Sequence, residues 1–115
     1  PEALRELLVA LDERYKLPPV YITENGAAMA DVVQDGMVDD EDRIDYYTGH
    51  LNAVNEAMES GVKVGGYFAW SLMDNFEWAE GYEKRFGLVY VDFETQERTF
   101  KNSAKAYQRL LASRK

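Results

Sequence analysis

There is no cysteine in these 115 residues, which excludes a disulfide framework and a thiolate metal site. A reducing, cytoplasmic setting is the expectation that follows. The single histidine, His50, rules out a histidine-rich metal centre. Cations are few, with 13 Lys and Arg against 21 Asp and Glu and a net charge of −8. Phosphate backbones and anionic lipid surfaces both demand clustered Lys and Arg, so neither nucleic acid nor a membrane is expected as a partner. No apolar run approaches the roughly 20 residues of a membrane span. The opening "PEALRELL" has neither the basic start nor the apolar core of a signal peptide. What is present is ordinary for a globular chain, 46% hydrophobic and 30% charged. Its length suits one small core.

Hydrophobic periodicity divides the chain. Leu4, Leu7, Leu8 and Leu11 recur at helical spacing, with Pro1 and Glu2 suited to a first turn, and "KLPP" ends that helix. "VYIT" at 20–23 is β-branched or aromatic throughout and predicts a short buried strand. A long polar loop follows, without periodicity. Asp39, Asp40, Glu41 and Asp42 then crowd the start of a second helix, where negative charge meets the positive end of the macrodipole. We read this run as a helix start rather than a metal site. Ile44, Tyr47, Leu51, Val54 and Met58 form its apolar stripe, and Gly61 closes it. "VKVGGYFAWS" predicts a second strand covered on both faces. Beyond an aromatic, acidic loop, "GLVYVD" and "ERTF" flank a hairpin turn. "NSAKAYQRLLASRK" predicts a last helix with Ser103 at its N-cap and Tyr107, Leu110 and Leu111 on one face. The order is that of an α/β fold with parallel strands. Two parallel strands leave both edges of a sheet open, so the chain reads as part of something larger.

The chemistry gathers where the strands end. Glu24 stands between an apolar strand and the turn signal Asn25-Gly26, at the face where α/β sheets bind ligands. After the second strand come Trp70, Asp74, Glu77 and Trp78, then Phe86. Carboxylates beside tryptophans suit sugars, because hydroxyls want charged acceptors and the C–H face of a pyranose wants an aromatic plane. A carboxylate near an anomeric carbon also serves as the nucleophile of a retaining glycosidase. On residue types alone, Glu24 and Glu77 are equal candidates for that role. Trp70 equally suits core packing. Asp74 and Asn75 suit ties to the loop backbone, and His50 suits an ordinary helix position.

"VYITENGAA" and "GYFAWSLMDNFEWAEGYEKRFGLVYVDFETQERTFKNSAKAY" resemble the C-terminal part of family 1 glycoside hydrolases, the β-glucosidase family. The resemblance continues through "DRIDYYTGHLNAVNEAMESGV" between them and covers essentially the whole chain. It implies the C-terminal segment of a (β/α)8 TIM barrel, strands seven and eight with their flanking helices. Residues 1–115 would then be a portion of a single glycosidase barrel domain and not a complete one. It makes Glu24 the catalytic nucleophile at the end of strand seven. Trp70 becomes a lining residue of the glycone pocket, Glu77 and Trp78 the holders of the outer sugar hydroxyls, and Phe86 a residue of the pocket wall.

The same resemblance implies a β-glucoside or related sugar as substrate and no metal or organic cofactor. The family's acid/base Glu lies in a T-x-N-E-P motif that this chain does not contain. The N-terminal remainder of the barrel is therefore an implied partner, and the isolated chain is expected to be inactive. The alternative is a fragment that binds carbohydrate, or serves only in assembly, without catalysis of its own.

Overall fold

The computed structural model describes residues 1–114, with Glu80 by its backbone alone. Its order is α1 (Glu2–Tyr15), β1 (Val20–Asn25), α2 (Glu41–Glu59), β2 (Val64–Ala69), a short 3-10 turn (Trp78–Glu80), β3 (Val89–Val91), β4 (Arg98–Phe100) and α3 (Asn102–Ser113). Lys115, which the sequence places in the last helix, lies outside the described residues. The chain forms two compact units rather than one small core. Residues 1–25 and 45–69 make the first, and residues 26–44 with the chain from Trp70 onward make the second.

In the first unit β1 and β2 pair in parallel, with Val20 opposite Val64 and Ile22 opposite Tyr67. Leu8, Ala57 and Val62 are the buried centre, and Leu4, Val9, Val20, Ile22 and Val64 pack on it. Leu4 and Leu8 of the α1 stripe pack here, but Leu7 and Met58 of the expected stripes are exposed, and Ala57 takes the buried place on α2. Lys16 turns left-handed and returns its N–H to Asp12 at 2.8 Å, which ends α1 just ahead of the two prolines. At the far end of α2, Gly61 has φ 106° and donates to Met58 at 3.0 Å. The strands are not covered on both faces as their composition suggests. Tyr21 is 60% and Phe68 56% exposed, so these side chains have no covering layer over them, and each of the two strands also leaves one edge unpaired.

In the second unit β3 and β4 form the antiparallel hairpin that the sequence predicts, with Tyr90 opposite Thr99. Asp92 accepts from the backbone N–H groups of Glu94 and Thr95 at 2.9 and 3.0 Å and so shapes the hairpin turn. Helix α3 is capped differently from the expectation. Lys101 is its N-cap residue, with no side-chain cap, and Ser103 lies inside the first turn. There Ser103 donates both its N–H, at 2.8 Å, and its hydroxyl to Asp40.

Asp40 thus serves two helices. Its carbonyl accepts from Arg43 and Ile44 at the start of α2, and its carboxylate takes one orphan donor of α3, the N–H of Ser103. The acidic run is a helix start, but Asp40 is buried rather than displayed.

A buried ionic cluster ties this unit together. Asp31 takes both terminal nitrogens of Arg43, at 3.0 and 2.8 Å, and the ammonium of Lys101 at 2.5 Å. Asp74 takes Lys101 at 2.8 Å and Arg85 at 2.7 Å, together with the backbone N–H of Gly87 at 2.9 Å. Asp40 completes the set by accepting from Arg43. Three carboxylates face three cations, and the Arg43, Lys101, Asp40 and Asp74 side chains are fully enclosed. Removing such ions from water costs several kcal/mol each, so they persist only because their charges and lone pairs are matched. Burial alone lowers the pKa of Arg43, but the hydrogen bonds and charges of Asp31 and Asp40 outweigh it and hold the guanidinium above its ordinary value. Among the described residues, Arg43 Nε is the one buried side-chain nitrogen or oxygen without a hydrogen-bond partner.

Candidate active site

Glu24 is the fifth residue of β1, one step from the C-terminal end of a strand in parallel pairing, and it is exposed. The strand does not reach it regularly. Between the pairs Ile22–Tyr67 and Asn25–Ala69, β1 advances three residues while β2 advances two. Thr23 and Glu24 lie in this irregular stretch, and both are exposed where strict alternation would bury one of them. An extra residue in one strand re-aims the side chains around it.

Directly after Glu24 the strand is fastened. Asn25 Nδ2 donates to the Tyr46 hydroxyl at 3.1 Å, and Asn25 Oδ1 accepts from the Tyr67 hydroxyl at 2.5 Å. Tyr46 is itself stacked on His50, with ring centroids 3.9 Å apart, and its carbonyl lies 2.8 Å from His50 Nδ1. His50 is therefore an anchored helix residue, in keeping with its sequence context.

Trp70, Glu77, Trp78 and Phe86 all lie in the second unit, whereas Glu24 lies in the first. Trp70 ends the run out of β2 and is 37% exposed. The N–H of its neighbour Ser71 donates to the Phe86 carbonyl at 3.1 Å, which sets Phe86 beside the start of the aromatic loop. Glu77 is half-buried and its N–H donates to Gly81 at 2.7 Å, closing a tight turn. At the head of that turn Trp78 has a φ of 43° and is 85% exposed. Phe76 lies 6.4 Å from Trp78 and 5.3 Å from Tyr82 between ring centroids. An indole so fully presented next to a carboxylate offers the stacking plane and charged acceptor that a pyranose uses.

Asp74 is no part of that surface. It is buried, and it accepts from Lys101, Arg85 and the backbone of Gly87 and Val91. Asn75 donates to Ser71 and Met73. Both are ties of the loop, as their residue types suggest. Sequence reading passed over Asn25, Tyr46 and Tyr67, which are 21 and 42 positions apart in their pairings. The Asn-Gly turn signal hid the amide's second role.

Comparison with known proteins identifies the family of the chain. The sequence profile of Glycosyl hydrolase family 1 matches residues 1–115. A β-glucosidase of Agrobacterium is 57% identical over 94% of this chain and 24% of its own length. The crystal structure of a psychrophilic β-glucosidase from Micrococcus antarcticus superposes with a TM-score of 0.96 at 56% identity, over 98% of this chain and 24% of that one. A Thermotoga maritima β-glucosidase in complex with glucoimidazole superposes with a TM-score of 0.95 at 52% identity, over 97% of this chain and 26% of that one. The chain belongs to glycosyl hydrolase family 1. It spans about a quarter of the length of these relatives.

Proposed function

We propose that this chain is the C-terminal portion of a retaining β-glycosidase of the β-glucosidase type. It would supply strands seven and eight of a (β/α)8 barrel, as β1 and β2, and be active when joined to the remainder that carries the acid/base Glu. The observation that carries the reading is Glu24, exposed near the C-terminal end of a parallel strand, within the T-E-N-G motif of a family 1 chain.

Hydrolysis proceeds by double displacement. Glu24 attacks the anomeric carbon while the Glu supplied by the remainder protonates the departing glycosidic oxygen, giving a covalent glycosyl ester. That second Glu then takes a proton from water, which displaces Glu24 with net retention. The two carboxyl groups stand about 5–5.5 Å apart in the assembled site, as retention requires.

Trp70, Glu77, Trp78 and Phe86 bind the sugar. Glu77 and Trp78 hold the outer hydroxyls, the carboxylate accepting from them and the indole N–H donating, and Trp70 and Phe86 wall the pocket. The substrate is a terminal β-linked sugar, in keeping with the β-glucosidase relatives. The carboxylates do the chemistry without a metal. Among the described residues no helix is long and apolar enough to cross a membrane.

Mixing the chain with the N-terminal segment of a family 1 barrel and assaying an aryl β-glucoside tests the reading. Activity that appears only in the mixture, and is lost with Glu24→Ala, supports it. A mixture that assembles but stays inactive contradicts it.

The exposure of Trp78 beside Glu77 favours a second reading, a module that binds carbohydrate without turnover. Titration calorimetry of the chain with glucose or cellobiose decides. Saturable binding supports the module, and no binding below millimolar sugar removes it.

A further inference from the structure

We infer that Asn25 is a positioning residue for the carboxylate of Glu24, acting as a clamp between β1, α2 and β2. This rests on the proposed role of Glu24 and adds to it the device that holds the nucleophile in place.

The clamp has three parts. Asn25 Oδ1 accepts from Tyr67 of β2 at 2.5 Å, and Nδ2 donates to Tyr46 of α2 at 3.1 Å. An amide with one donor and one acceptor so engaged has its plane and its rotamer fixed. Tyr46 is held in turn by the stacked ring of His50. The clamp pins Asn25 at the pair with Ala69, on the far side of the irregular stretch that contains Glu24. Strand pairing with an extra residue has a competitor close by, the regular register, in which the side chains past the slip change faces. Pinning Asn25 removes that competitor. Glu24 is left exposed near the end of β1, as Thr23 is, where strict alternation would bury one of the two.

Displacement of a reacting group by about 1 Å costs on the order of 100-fold in rate. In the full-length enzyme, Asn25→Ala should therefore lower kcat about 10- to 100-fold and leave KM within about twofold. Tyr67→Phe, which removes one hydroxyl and little volume, should lower kcat about 3- to 10-fold. The double variant Asn25→Ala/Tyr67→Phe should be no slower than Asn25→Ala, because both changes cut the same bond.

Near-UV circular dichroism keeps a folding defect separate, and Tyr67→Phe supplies a mild variant should Asn25→Ala fail to fold. A kcat within twofold of the parent for both single variants, a loss carried by KM, or full additivity in the double variant overturns the clamp. The parallel control is Glu24→Ala. If it keeps activity, the assignment of the nucleophile fails. If it is inactive while Asn25→Ala turns over normally, only the clamp fails.

Discussion

The ammonium of Lys101 sits 2.8 Å from Asp74 Oδ1, and both side chains are sealed from solvent. The same ammonium also binds Asp31, so one cation serves two buried carboxylates. Truncating it leaves both with less compensating charge. Lys101→Met in the assembled protein should lower the unfolding free energy by about 3–5 kcal/mol, the cost of breaking a buried ion pair. Urea denaturation measures it, and a loss below about 1 kcal/mol would show that water already screens the cluster.

Gly87 is held against the same carboxylate. A Cβ there would lie 2.2 Å from the backbone nitrogen of Asp74 and 2.5 Å from the carbonyl carbon of Met73. Backbone cannot swing aside as the end of a side chain does. Gly87→Ala should cost about 1–3 kcal/mol or more and disturb the aromatic loop that carries Glu77 and Trp78. A thermal melt of the variant within a degree of the parent would contradict the close approach.

Asp92 is held below the usual carboxylate range by hydrogen bonds from the backbone N–H groups of Thr95 first and Glu94 second. Its folded pKa lies under its unfolded one, so its stabilisation is present above the ordinary Asp value and fades as pH falls through the folded value. Carbon-detected NMR titration should place the Asp92 midpoint below that of an unstructured Asp. Asp92→Ala should loosen the hairpin at neutral pH and flatten this part of the acid response. A midpoint at the ordinary value would remove the argument.

The isolated chain should be poorly ordered. Both strands of its parallel pair keep an open edge, and Tyr21, Phe68 and Trp78 are more than half exposed. Small cores are marginal even when complete. Weak near-UV circular dichroism and a broad, non-cooperative melt are expected, sharpening when the rest of the barrel is added. A cooperative melt of the isolated monomer would oppose the proposal that it is part of one barrel domain.

Local pattern made much of the fold legible. The helices of Leu4 to Leu11 and of Ile44 to Met58, the turn after Asp92 and the parallel order all follow from spacing and punctuation within short windows. The stripes do not wholly match the buried faces: Leu7 and Met58 are exposed, and Ala53 and Ala57 are buried instead. Ser103 shows the limit. A serine at the head of a helix reads as its cap, but the group that decides its bonds is Asp40, 63 residues away. The buried ions were equally invisible, since Lys101 meets Asp31 across 70 positions. Composition also says what a strand can bury, and not what is present to cover it. "VYIT" and "VKVGGYFAWS" therefore read as enclosed, whereas this chain leaves them half open. At the candidate site, Glu24 was legible from strand and turn. Its irregular register was not, because that depends on where β2 pairs.

Glu24 as nucleophile is the central claim, and a mechanism-based fluorosugar tests it most directly. A 2-fluoro β-glucoside with a good leaving group, incubated with the complete enzyme, traps the glycosyl ester that double displacement requires. Peptide mapping by mass spectrometry should place the label on Glu24 in one-to-one stoichiometry with loss of activity. A label on Glu77 or any other residue, or an active enzyme that takes no label, would contradict the account.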